Sequence, residues 1–219
     1  MAERKSQVEK KKFELTTDTK IAFGRKLFRI KALIDFGNVN KGELGGYVEK
    51  EENLSHEGNA WICDDAWISG NAKISGNAWI YDDAWISGNA KISGNAWISG
   101  NAKISGNAEI YDDVWISGNA KISGNAWISG NALIYSNVRI YDDALIFGND
   151  DYLCFKGLGS CNRNTTFFKC KDGHIHVSCG CFSGNLAEFE AKVKETHGES
   201  KFAKEYLACI NVVKIHFEV

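Results

Sequence analysis

A chain of 219 residues with 26 Lys and Arg against 28 Asp and Glu, a net charge of −2, is long enough for one or two domains with a buried core. The charge is balanced and spread over every segment, which argues against a duplex nucleic acid or an anionic membrane as partner, and no apolar run reaches membrane-spanning length. Seven cysteines, odd in number, irregularly spaced and with no export signal ahead of them, are expected as reduced thiols in a soluble cytoplasmic protein.

In chain order, residues 1–20 are charged and polar and read as a flexible N-terminus. Residues 21–60 follow as a short β cap. They hold an alternating run from Gly24 to Ile30, then turns at Gly37-Asn38 and Gly45-Gly46 before Tyr47-Val48. Such a cap protects the open end of what comes next from edge pairing.

Residues 61–150 repeat every six positions. Isoleucine stands at each of fifteen steps from Ile62 to Ile146, and four residues after each comes Ala or Val, except at Asp150. Gly-Asn or Asp-Asp usually lies between, as in Ile68-Ser69-Gly70-Asn71-Ala72. An apolar residue every sixth position would drift around a 3.6-residue helix and leave no core face. The period suits a coil with short flat sides of three or four residues. Ile points inward, Gly, Asn or Asp takes the left-handed backbone at each corner, and Ala fits the next bend. Three hexads make one 18-residue coil, so five coils stack to roughly 24 Å at about 4.8 Å per strand. Asn71, Asn89, Asn107 and Asn125 should form a side-chain ladder along one corner, and the Asp pairs, able in principle to hold calcium, read as corner residues.

This pattern of an aliphatic and a small residue at fixed offsets resembles the hexapeptide-repeat family. The resemblance implies a left-handed parallel β-helix, and trimers are common among its members. The stretch from Lys41 through Gly45-Gly46-Tyr47-Val48 to Ala60-Trp61-Ile62 resembles the entry sequence of bacterial and prophage hexapeptide-repeat proteins described as polymer-forming or cytoskeletal-like. That resemblance brings no catalytic residues.

All seven tryptophans immediately precede an isoleucine. Sorted by 18, the first column reads Trp61, Trp79, Trp97, Trp115, Leu133. The second reads Trp67, Trp85, Lys103, Lys121, Arg139, and the third Lys73, Lys91, Glu109, Trp127, Leu145. An exposed aromatic strip of this length marks an interface. Either other parts of the chain or neighbouring subunits cover it, or indoles beside lysines stack and pair with a flat anionic ligand such as a nucleotide.

The repeat ends at Asp150, and residues 151–219 read as a small α+β domain. Thr165–Cys170 and His174–Cys179 flank an Asp172-Gly173 turn as a hairpin. Asn185 with Glu188 opens a helix to about Thr196; a second is expected from about Ser200 to Ile210, ahead of a terminal strand. The region resembles a module of phage-related proteins. Its Cys154, Cys161, Cys170, Cys179 and Cys181, with His174 and His176 among them, contain no Cys-x2-Cys pair, so neither metal nor cofactor is assigned. The stretch from Ser160 to Thr166 could cradle an anion with Arg163 as the fork.

Resemblance to hexapeptide-repeat acyltransferases would require a histidine base, and none occurs in residues 61–150, so no enzyme is expected. The favoured reading is a mostly β, phage-related homo-oligomer, trimeric by the family resemblance, that binds a small nucleotide-type anion and sequesters it as a host immune signal. Its site would comprise Trp61, Trp79, Trp97, Trp115, Lys103, Lys121, Asn162, Arg163 and Thr165. A purely structural spacer or polymer-forming protein is the alternative.

Overall fold

The computed structural model describes residues 11–219, so half of the expected flexible terminus lies outside the described residues. The other half corrects that expectation. Strand β1 (Phe13–Ala22) pairs antiparallel with β2 (Arg25–Ala32), which pairs antiparallel with β3 (Leu44–Val48). Phe13 is fully buried opposite Ala32, while the outward positions of this edge strand, Ile21 excepted, are polar, and that polarity disguised the strand.

Strand β3 belongs to two structures at once. On its other side it runs parallel to Trp67–Ile68, with Tyr47 beside Trp67 and Val48 beside Ile68, so cap and repeat share one eight-stranded sheet. The coil therefore starts at Val48, continues through Leu54, which bridges Ile74, and reaches Ile62 after a step of eight residues. That interrupted step hides the first turn from the hexad count. A parallel β-solenoid of about six turns results, where five were expected. Gly45 and Gly46 permit the close approach, since a Cβ at either would meet the backbone oxygen of Ile62 or Ala66 at 2.6 or 2.5 Å.

Within the repeat, fifteen strands, β4 (Trp61–Ile62) to β18 (Leu145–Ile146), recur at six-residue steps and form three parallel sheets. Each spans two residues, shorter than expected, because the corners consume the remaining four. Every repeat isoleucine is at most 1% exposed. Each such side chain contributes about 1.5–3 kcal/mol on burial, and stacked on its equivalents it forms one continuous core. The corners take the left-handed backbone at Gly70 (φ 66°) and at the first Asp of each pair, as at Asp82 (φ 56°). The expected ladder runs Asn71–Asn89–Asn107–Asn125 at 2.9–3.2 Å.

The far end is closed by an antiparallel sheet of β19 (Tyr152–Leu158), β20 (Arg163–Lys169), β21 (Ile175–Cys179) and β22 (Phe182–Asn185). Alternation on β20 divides its duties: Phe168, with Cys170 just beyond the strand, extends the solenoid core, and Phe167 faces the core beneath the helices. Helix α1 (Leu186–His197) opens with the expected reciprocal cap, each backbone N–H of Asn185 and Glu188 donating to the other's side chain at 2.9 Å. Helix α2 (Lys201–Phe217) runs past Ile210 and leaves no terminal strand, a second correction. Its buried residues Ala203, Tyr206, Ile210, Val213 and Phe217 keep three- and four-residue spacing to the end, and that period outweighs the strand propensity of its valines and isoleucines.

Candidate functional site: a basic cleft

The cations of the second column are registered by the solenoid itself. Lys103 stands beside Lys121 and Lys121 beside Arg139 in adjacent parallel strands. At the lower end of this face the C-terminal sheet brings Arg163 and Asn164 from the start of β20, and Gly180 from the β21–β22 turn. Together with a corner of stacked asparagines they enclose a cleft of about 620 Å³. Four cations and no carboxylate line it. Among the described residues none of the four is in a salt bridge, and Arg139 spends one donor on the Gly180 carbonyl at 3.1 Å. The third column behaves differently. There Lys91 meets Glu109 one turn on at 2.8 Å, and that bond, with a second from Tyr111, holds the Glu109 carboxyl below its usual range. The solenoid thus neutralises a stacked lysine on one face and leaves two lysines and one arginine without a carboxylate partner on another, where Arg163 of the C-terminal sheet joins them.

Above the cations, Phe23 from the β1–β2 turn stacks on Trp85 at 4.6 Å, and Trp85 on Trp67 at 4.6 Å. Lys103 Nζ lies 5.4 Å from the Trp85 ring centroid. Beside the cleft, a pocket of about 360 Å³ is walled by Phe182, Phe189, His197 and Tyr206, and Arg163 lines both spaces.

Of the expected site residues, Lys103, Lys121 and Arg163 converge here. Thr165 does not: it is fully buried, its hydroxyl directed to Cys179 Sγ at 3.1 Å, because alternation along β20 turns it inward. Asn162 sits exposed in the preceding turn with φ 48°, and Asn164 lines the cleft in its place. Trp61 is also corrected. The cap buries it completely, with Phe36 edge-on at 5.4 Å. Trp79 is half-buried against Tyr81 at 5.5 Å. Trp97 and Trp115 remain 39% and 54% exposed and 5.6 Å apart, but they belong to a different sheet from the lysines, so tryptophan column and basic column do not form one site. Arg139 was visible in the column pattern; what the pattern lacked was the C-terminal sheet that makes it the middle of a cleft.

The structure also gathers three of the C-terminal cysteines and histidines to which the sequence assigned no metal. Possible ligand atoms of Cys170, His174 and His176 all lie within 4.8 Å of one another. A search for Cys-x2-Cys passes over them, whereas Cys-x3-His-x-His across a hairpin turn would have found them.

Among the described residues no helix is long and apolar enough to cross a membrane. No family model matches the chain. It is similar to an Escherichia coli (strain K12) protein described as "Uncharacterized acetyltransferase YdcK", 41% identical over 56 residues, 22% of this chain and 17% of that protein. The match thus spans less than a fifth of that relative's length.

Proposed function

We propose that the protein is a non-enzymatic binding scaffold whose solenoid presents a rigid cationic cleft to a small phosphorylated, nucleotide-type ligand. The unpaired set Lys103, Lys121, Arg139 and Arg163 carries this reading. Like charges on neighbouring rungs, about 4.8 Å apart, repel by about 1 kcal/mol even in water, and a bound phosphate turns that repulsion into attraction. The arginines offer planar forks to phosphate oxygens and the lysines point charges. The aromatic pocket sharing Arg163 has room for a base or a similar flat ring. In its biological form, the protein would sequester a host nucleotide signal on behalf of a phage.

Calorimetric titration with ADP and with pyrophosphate tests the cleft. Both should bind, more weakly as salt rises, and Lys103→Glu with Lys121→Glu should lower affinity at least tenfold with thermal unfolding unchanged. Indifference of binding to these substitutions would sink the proposal.

Two further readings have their own observations. Likeness to a protein described as an acetyltransferase favours acyl transfer, and acetyl-CoA itself carries a nucleotide diphosphate suited to the same cleft. Consumption of acetyl-CoA in the presence of amine acceptors would establish turnover and overturn the non-enzymatic reading. The exposed Trp97, Trp115 and Leu133, with Tyr135 beside them, favour self-association of copies along that face into the trimer. Sedimentation velocity should find an assembly that Trp97→Ser with Trp115→Ser dissociates; a monomeric parent protein would rule the trimer out.

A further inference from the structure

We propose that Cys170, His174 and His176 form a zinc site at the joint between the C-terminal hairpin and the last solenoid turn, with the Asp142 carboxylate as fourth ligand. The three residues lie on one face of the hairpin. Cys170 donates its N–H to the His174 carbonyl at 3.0 Å across the turn, and His176 follows two residues later on the same side of β21. Their candidate donor atoms fall within 4.8 Å. Bonds of 2.0–2.3 Å at tetrahedral angles place neighbouring donors roughly 3.3–3.7 Å apart, so closure needs about 1 Å, within reach of the exposed His174 ring.

Neighbouring groups already orient the donors. Asp172 Oδ1 accepts from His174 Nδ1, which leaves Nε2 as the free donor in the carboxylate–histidine arrangement typical of zinc ligands. Phe168 stacks on the His176 ring at 5.1 Å, and Asp142 Oδ2 stands 3.3 Å from His176 Nε2, a nitrogen that Ser183 Oγ also meets at 2.9 Å. Asp142 lies outside the three-residue cluster, so metal binding requires its exposed carboxylate to swing toward Cys170 and His174 and the Ser183 contact to give way. The backbone is pinned on both sides, by a bridge from Ala144 to Cys170 and by Lys171 N–H donating to Asp143 O at 3.0 Å. Local charge favours a cation. Asp142, Asp143, Asp172 and Glu188 gather around the histidines, and Lys171, among the described residues the one cation lining the same space, donates its Nζ to the Asn125 carbonyl at 3.0 Å. One thiolate, two imidazoles and one carboxylate suit zinc over calcium or magnesium, which require oxygen ligands throughout. Such an ion would fasten the solenoid corner at Asp142 to the hairpin.

The experiment uses the full chain, stripped with chelator and titrated with Co2+ and then Zn2+. One equivalent of Co2+ should give a thiolate-to-cobalt charge-transfer band and the intense visible bands of a four-coordinate ion. Zn2+ should displace it and raise the melting temperature. Cys170→Ser should abolish the charge-transfer band. His174→Ala, an exposed position that leaves the fold intact, should weaken binding at least tenfold and remove the zinc-dependent rise in melting temperature, and Asp142→Asn should weaken binding less. Absence of stoichiometric binding would overturn the site. So would binding that survives both Cys170→Ser and His174→Ala, since the metal would then belong to other thiols.

Discussion

Arg139 Nη1 donates to the Gly180 carbonyl at 3.1 Å, joining the last cation of the solenoid's basic face to the β21–β22 turn. Gly180 has φ 62°, and a Cβ on it would lie 2.5 Å from Arg163 Nη1. One residue therefore holds Arg139 by its carbonyl and makes room for Arg163 by lacking a side chain. The cleft depends on this docking as much as on its cations.

Gly180→Ala follows directly. The added methyl should push the Arg163 guanidinium aside, because the flexible side chain yields before the backbone does, and the left-handed conformation should cost about 1–2 kcal/mol. Calorimetry should show weakened pyrophosphate binding, and circular dichroism an intact fold. Retained affinity would mean that Arg163 is not a ligand contact.

Ile98 lies fully buried between Ile80 and Ile116 in the column of stacked isoleucines. Ile98→Ala should cost about 2–5 kcal/mol, since a rigid stack relaxes little around a cavity. Ile98→Asp should abolish folding by placing a charge where no partner exists. Urea melts read by tryptophan fluorescence check both, and a melting curve unchanged in Ile98→Asp would overturn the repeat register.

Corners should differ in tolerance. A Cβ at Gly88 would meet the Gly106 backbone oxygen at 2.8 Å and nitrogen at 2.9 Å, with φ at 70°. Gly88→Ala should therefore cost at least about 1–2 kcal/mol. Asp82 adopts φ 56°, and its carboxylate accepts from Gly100 N–H at 2.8 Å. Asp82→Gly should be close to neutral in the same melts, because relief of the left-handed strain offsets the lost hydrogen bond.

Lys12 is buried under the cap. It donates to the carbonyls of Gly58 and Ala60 at 3.3 and 3.0 Å, and burial lowers its pKa from 10.5 to about 8. Between these values the unfolded chain holds the proton that the folded chain has lost, so stability should rise with pH from about 8 to 10.5. Below about 8 both states are protonated and the burial penalty is present in full. Chemical denaturation across this range should show that rise in the parent protein and a flatter profile in Lys12→Met.

The hexad register, the isoleucine core, the left-handed corners and the asparagine ladder were legible in the sequence. Each residue's surroundings there are set by its equivalents 18 positions away, so a local period is already a statement about three-dimensional neighbours. The cap at Asn185 and the Asp-Gly hairpin were legible too, because both are made by residues within a few positions of one another. Tertiary structure alone decided the burial of Trp61 beneath the cap, the inward turn of Thr165 and the extra solenoid turn hidden by the step from Leu54 to Ile62. It also decided which column meets the C-terminal sheet. Lys103, Lys121 and Arg139 would be three surface charges on a rod, were it not for Arg163 arriving beside them from a strand that no repeat encodes.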